Sequence, residues 1–216
     1  MNHTRSNSNL RQQVAVASVG ALAVLGGCNM FLPFVFMTEH KAKVPAEFDK
    51  LKGNRVLVTV WAPQETLFDY PHVRMELGLH IGERIDANVK KTDVVDGRLI
   101  EDYVQRSLSS AIDPEEMGKH FNADMVVYVE LLAFQIRDPA APDFLRANIE
   151  ASVTVYDLTS TSESTRRYPL ADVEVLYPPD NPVLFTATSA AQVRKAAYET
   201  FADDVSRKFY DHDREM

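Results

Sequence analysis

His72, Glu76 and His80, in the stretch "HVRMELGLH", stand at i, i+4 and i+8. On a helix that spacing sets two imidazoles and a carboxylate on one stripe, the residue types of a metal centre. With acids from elsewhere in the chain they would make a metal-dependent hydrolase. Their geometry argues against it. Eight residues of helix rise about 12 Å, so one zinc ion does not reach both imidazoles, and only adjacent pairs can share a metal. The stripe also borders the apolar series Val73, Leu77, Ile81 and Ile85, where polar residues flanking a buried face need no other role. His120, beside Phe121 near a helix end, is placed to meet the last carbonyls. The sequence has no Gly-x-Ser-x-Gly elbow, His-Glu-x-x-His, Walker loop or Gly-x-Gly-x-x-Gly. We therefore expect no enzyme and no cofactor, and assign no catalytic residue.

The other reactive group is the single cysteine, Cys28, in "LGGCNMFLPFVFM". Ahead of it lie a polar lead with Arg5 and Arg11, an apolar run from Val14 to Leu25, and the small pair Gly26-Gly27. That is the order of an export signal. A run of twelve residues makes about 18 Å of helix, short of a ~30 Å hydrocarbon core. Leu25-Gly26-Gly27-Cys28 resembles the bacterial lipobox, which implies that Cys28 is acylated and becomes the mature N-terminus. Asn29 then leans toward the outer membrane under the Gram-negative sorting rule that this resemblance carries. Phe31 to Met37 would lie at the lipid interface as a second contact. A different reading joins Val14 to Met37 into one interrupted apolar segment, long enough to span. Both tether the same domain to a membrane and place it outside the cytoplasm.

Removing residues 1–27 takes away two arginines and no acid, leaving 21 basic against 31 acidic side chains and a formal charge of -10. That balance argues against nucleic acid or anionic headgroups as partners of the domain. With Cys28 acylated, no thiol remains for a disulfide, so the exported fold stands on its core. The organisation expected is a signal peptide over 1–27, a lipidated N-terminus and tether over 28–52, and one domain over 53–216.

The elements that must position any site follow from periodicity. "RVLVTVW" (55–61) reads as a buried strand closed by Pro63. Pro71 opens an amphipathic helix, Lys91 to Val95 is a short strand, and Arg98 to Leu108 is a helix with Leu99, Ile100, Tyr103, Val104 and Leu108 inward. Asp113 and Pro114 start a third helix that Asn122 stops. Met125 to Phe134 is a strand, and after the loop Pro139–Pro142 the segment "ANIEASVTVYDL" alternates Ile149, Ala151, Val153 and Val155 against Asn148, Glu150, Ser152 and Thr154. A polar turn, Ser160 to Arg166, leads to "ADVEVLYPP", its antiparallel partner. "YPPDNPV" (177–183) is a rigid connector, with partner contact as its alternative role. Ser189 and Gln192 form a capping box for a long terminal helix carrying Val193, Ala197, Phe201, Val205 and Phe209 inward. The fold class expected is α+β (mixed α/β), a single sheet with helices packed mainly on one face and a long C-terminal helix.

Four segments, "RVLVTVW", "MGKHFNADMVVYVELLAF", "EASVTVYDL" and the terminal helix, resemble the envelope lipoprotein group that includes the curli-secretion CsgG domain, the GNA1162-like lipoproteins and the TolB N-terminal domain. In that group an aspartate precedes the strand entering the sheet and another ends a later strand; Asp124 and Asp157 fall at those places. The resemblance covers roughly 53–210 and implies a fold, a periplasm-facing location, an envelope protein partner and a homo-oligomer, with a role in assembly or transport. It does not carry the secretion pore. A pore subunit needs long membrane-spanning hairpins, whereas the hairpin here is centred on "STSESTRRY".

Overall fold

The computed structural model describes residues 41–107, 113–138, 141–162, 166–186 and 188–215. Cys28, the segment expected to be an export signal, and Leu108 lie outside them. The chain divides into two units, residues 1–43 with 213–216, and Val44–His212. In the first, strands β1 (Lys41–Val44) and β9 (His212–Glu215) form a two-stranded sheet.

The second unit is built on a seven-stranded sheet. Its strands are β2 (Arg55–Trp61), β3 (Asp93–Val94), β4 (Met125–Asp138), β5 (Ala141–Asp157), β6 (Arg167–Pro169), β7 (Val173–Tyr177) and β8 (Val183–Leu184). The order is β3-β2-β4-β5-β6, with β7 and β8 also on β5. β2 runs parallel to β3 and β4, and the pairs made by β5 are antiparallel. The mixed sheet follows from the connections: helices link β2 to β3 and β3 to β4, whereas β4 turns straight into β5.

Two long helices, α2 (Val73–Asn88) and α5 (Ala190–Ser206), cover one face; the short α1 (Gln64–Asp69) precedes α2. Val73, Leu77, Ile81 and Ile85 of α2 and Val193, Ala197, Phe201 and Val205 of α5 meet Val56, Val58 and Val60 of β2 and the odd-numbered residues of β5 in the main core. The capping box at Ser189 is formed, its hydroxyl accepting from the Gln192 N–H at 3.2 Å. An ion pair from Arg84 to Asp203 (2.8 Å) ties the two helices at their surface.

On the opposite face the shorter α3 (Gly97–Arg106) and α4 (Pro114–His120) cover one corner. Ile100 and Met117 pack on Leu57 and Val126 there in a smaller second core. The Asp113 carboxylate caps α4 by accepting from the N–H of Glu115 (2.9 Å), and Asn122, at φ 51°, turns the chain out of it. The mixed α+β fold, the single sheet and the long C-terminal helix are those the sequence pattern implies.

Four local expectations change. The tether does not run to residue 52: Phe48 and Leu51 are buried in the main core, and Glu47 accepts from the buried Lys208 Nζ (2.9 Å) and the Ala171 N–H (3.1 Å). Charge alternation hid the two apolar residues. Pro71 lies before α2 rather than at its first position, and α2 begins at Val73. Leu99 is 56% exposed, because Ile100 and not Leu99 faces the sheet. Finally, β4 and β5 run past Phe134 and begin before Ala147, making a hairpin arm longer than the periodicity suggests.

Candidate functional site

A bulge hides the arm's length from the periodicity. The register of β4 against β5 shifts between Leu131 and Ala133, a bulge that places an extra residue on one strand. Before it the β4 residues in the main core are odd-numbered, Met125, Val127, Val129 and Leu131; after it they are Phe134 and Ile136. A strict period-two reading loses the strand at that point. The bulge turns Leu132 out, leaving it 55% exposed on the part of the second face that α3 and α4 leave open.

That uncovered face is a ladder of cross-strand rows. Trp61 pairs with Glu130 and Glu130 with Ser152. Ala133, Glu150 and Glu174 make the next row, then Gln135, Asn148 and Leu176, and toward the hairpin end Phe144 pairs with Leu184. Leu132, Leu176, Leu184 and Phe185 are each between 41% and 55% exposed, while Trp61 is half-buried. The Arg137 guanidinium stacks over the Phe185 ring at 4.8 Å. The Asn148 amide donates to Glu150 (2.9 Å), and Arg146 donates to the Pro179 carbonyl (2.7 Å). Where the face meets the α3–α4 corner, Tyr128 and Tyr156 pack edge to face, centroids 6.4 Å apart. Burial, with the Glu130 charge after it, pushes the Tyr128 phenol up to about 12, so it stays a neutral donor. Half-exposed leucines on this open part of the sheet, beside the acidic row of Glu150 and Glu174, form an apolar patch that the fold leaves uncovered.

The residues of the metal stripe are separated by the fold. His72 sits at the start of α2, exposed and capping nothing with its side chain. Glu76 and His80 turn toward α5, where the His80 ring lies 6.1 Å from that of the buried Tyr198. The Tyr198 hydroxyl faces Glu76, yet among the described residues no group meets it at hydrogen-bond geometry; burial, then the Glu76 charge, pushes this phenol up. Among the described residues, no three His, Cys, Asp or Glu side chains converge as a metal site. Tyr198 was not legible as part of this cluster, because it lies off the stripe Val193–Ala197–Phe201 that marks the inward face of α5. His120 stacks on Tyr103, ring centroids 4.3 Å apart, and so closes the α3–α4 corner.

Asp124 and Asp157 hold backbone. Asp124 accepts from the Arg55 N–H (2.8 Å) and thereby sets the start of β4 beside that of β2. Asp157 accepts from the Thr159 N–H (3.0 Å), the Thr159 hydroxyl (2.6 Å) and the Ser160 N–H (3.2 Å), shaping the turn after β5. A groove of about 350 Å³ between α2 and the β3–α3 turn is rimmed by Glu83, Asp86, Asp93 and Asp96. Two of these acids are already engaged, Asp93 with Arg55 and Asp96 with the Arg98 N–H that it caps.

No protein-family model and no curated protein matches the chain. Among solved structures it is similar to the PelC dodecamer from Paraburkholderia phytofirmans, with 6% identity and a TM-score of 0.43 over 79% of this chain and 98% of that one. It is similar to the hypothetical protein CT253 from Chlamydia trachomatis, with 15% identity and a TM-score of 0.39 over 73% and 97%. Lipoprotein GNA1162 from Neisseria meningitidis follows, with 11% identity and a TM-score of 0.35 over 70% and 97%. At these identities and scores the likenesses leave the function of this chain open.

Proposed function

We propose that the chain is a lipid-anchored envelope protein, attached through acylated Cys28 and facing the periplasm, whose domain binds another protein through the open sheet face. The location follows the lipobox and Asn29, with the outer membrane favoured. The role is that of an assembly or transport accessory, not an enzyme, as in the CsgG, GNA1162 and TolB group that the sequence resembles. Among the described residues no helix is long and apolar enough to cross a membrane.

The observation that carries the binding role is the place of the exposed apolar set. Where the chain enters the domain, Phe48 packs on Tyr168 (ring centroids 5.1 Å), which pairs with Val155. Leu184 pairs with Phe144. Eleven residues of β5 separate these points, about 35 Å at ~3.3 Å per residue. The exposed leucines thus spread from the middle of β5, at Leu176, to the end of the strand remote from Phe48, at Leu184, and that stretch is where we place the partner.

Two experiments test this. Cys28→Ser is expected to leave an unprocessed precursor and abolish metabolic labelling with palmitate; unchanged labelling would remove the lipid anchor. A photo-crosslinking residue at Leu176 in intact cells is expected to capture a protein, while one at exposed Lys195 on α5 is not. Equal capture from both positions would remove the open face as the binding surface.

A further inference from the structure

We propose that the outer edge of β2 is a binding site for one ordered water molecule, held between α2 and α3 as a fixed part of the fold. The bonding directions along β2 follow from its neighbours. The carbonyls of Asn54 and Val56 accept from the N–H groups of Asp93 (3.1 Å) and Val95 (2.9 Å) on the β3 side, and the Arg55 carbonyl accepts from the Asp124 N–H (2.8 Å) on the β4 side. Successive residues of a strand turn their backbone groups to alternate sides, so Val58 and Val60 also face the β3 side. β3 ends at Val94, and its pairing with β2 stops at Val56. Among the described residues no group meets the N–H and C=O of Val58 and Val60 at this edge, although each of the two residues is only 3% exposed.

Two helices close over this edge. A Cβ on Gly78 of α2 would stand 3.8 Å from the Val58 carbonyl oxygen, so α2 brings its backbone close to the strand there. Glu101 of α3 accepts from Arg74 Nη2 of α2 (3.0 Å) and from the Gln105 amide (3.1 Å). The Arg74 Nε is buried and, among the described residues, has no partner. A cavity of about 10 Å³ lies between these groups, lined by Val58, Thr59, Val60, Arg74, Gly78 and Glu101. Buried backbone groups are nearly always paired, and one left unmet costs about as much as a lost hydrogen bond. Room for about one probe sphere, roughly 10 to 15 Å³, is enough for a water that finds two to four polar partners. This site offers donors in Arg74 Nε and the N–H groups of the edge, and acceptors in the carbonyls of the edge. The guanidinium disfavours a metal cation, the Glu101 carboxylate disfavours an anion, and an apolar guest would leave every group unmet. Water both donates and accepts within that volume. With the two helices it closes a strand edge that would otherwise be a template for pairing.

The test uses the full chain, nitrogen-15 labelled, in detergent. At least one of the Val58 and Val60 amides is expected to show a nuclear Overhauser effect to water, with the sign of a molecule held far longer than surface water, while its own proton exchanges slowly. Two substitutions at Gly78 probe the same spot. The hydroxyl of Gly78→Ser is within reach of the Val58 carbonyl and can take the place of the water, whereas the methyl of Gly78→Ala displaces the water and meets nothing. Gly78→Ser is therefore expected to have an unfolding constant at least about fivefold smaller than that of Gly78→Ala, the reverse of their helix propensities. No water contact at either amide would overturn the inference. Rapid exchange of both amides would overturn it too, since the edge would then be open to solvent. So would an alanine variant more stable than the serine variant. If either variant fails to fold, the wild-type amides decide the matter alone.

Discussion

The two faces of the sheet share their strands but not their chemistry. Along β5, Ile149, Ala151, Val153 and Val155 are almost wholly buried beneath α2 and α5, while Asn148, Glu150 and Ser152 on the other side are only half-buried. The first face is apolar wherever a helix lies on it, as a fold without a disulfide requires. Among the described residues the second is covered by helices only at the α3–α4 corner, and beyond that corner it mixes exposed leucines with charged and polar side chains. The buried apolar packing is concentrated on the first face, and the second is where we propose that a partner binds.

The sharpest way to break that division is to remove a large side chain from the closed face. Phe201 is fully buried on α5. Phe201→Ala is expected to lower stability by about 3 to 5 kcal/mol in denaturant unfolding, the transfer and cavity terms together. A loss under about 1 kcal/mol would show that α5 is not docked. Leu51, also fully buried, tests whether the entering segment belongs to the same core. Leu51→Ala is expected to lower stability by about 2 to 5 kcal/mol, where a tether would give no change. A chain that begins at Leu51 discards Phe48 and the Glu47–Lys208 pair, and should melt below one that begins at Cys28.

The covered corner of the second face sharpens the comparison in the other direction. A Cβ on Gly118 would overlap Leu158 Cδ1 and stand 2.6 Å from Val126 Cγ2, so α4 sits directly on β4 and on the residue that follows β5. Gly118→Ala is expected to cost about 1 to 3 kcal/mol through overpacking. If it is neutral by thermal melt, α4 lies loosely and the open face extends beneath it.

Much of this was legible in the sequence because the closed face obeys simple periods. The four-residue stripes of α2 and α5, the capping box at Ser189 and the alternation from Asn148 to Val155 each point to the element observed. The exceptions have local causes. The bulge at Leu132 shifts the phase of β4, so the arm was read as ending at Phe134. Phe48 and Leu51 are isolated among charges and carry no period. The open face was the least legible, since its rows depend on registers across β2, β4, β5 and β7 that no single strand reveals. His72, Glu76 and His80 show the converse: a helical stripe fixes spacing along its own axis, but the packing of α5 decides which of its members face each other.

The smallest expected effect lies at that seam, on the closed face, where Tyr198 breaks the rule that the face is apolar. Its ring is buried, but its hydroxyl meets no partner at hydrogen-bond geometry. A buried hydroxyl without a partner contributes no net stabilisation, so Tyr198→Phe is expected to leave stability at pH 7 unchanged or raised by less than about 1 kcal/mol. The pH dependence separates the two residues further. Burial and Glu76 hold the folded-state phenol above the ordinary tyrosine value of about 10. Above that pH the unfolded chain therefore loses its proton first, and stability falls as pH rises toward the folded-state value. Phenylalanine has no proton to lose, so the variant should show a shallower decline above about pH 10 in urea unfolding. A steeper decline, or a loss of several kcal/mol at pH 7, would mean that the hydroxyl is held by Glu76 and that the seam is a polar network, not an orphaned group in an otherwise apolar face.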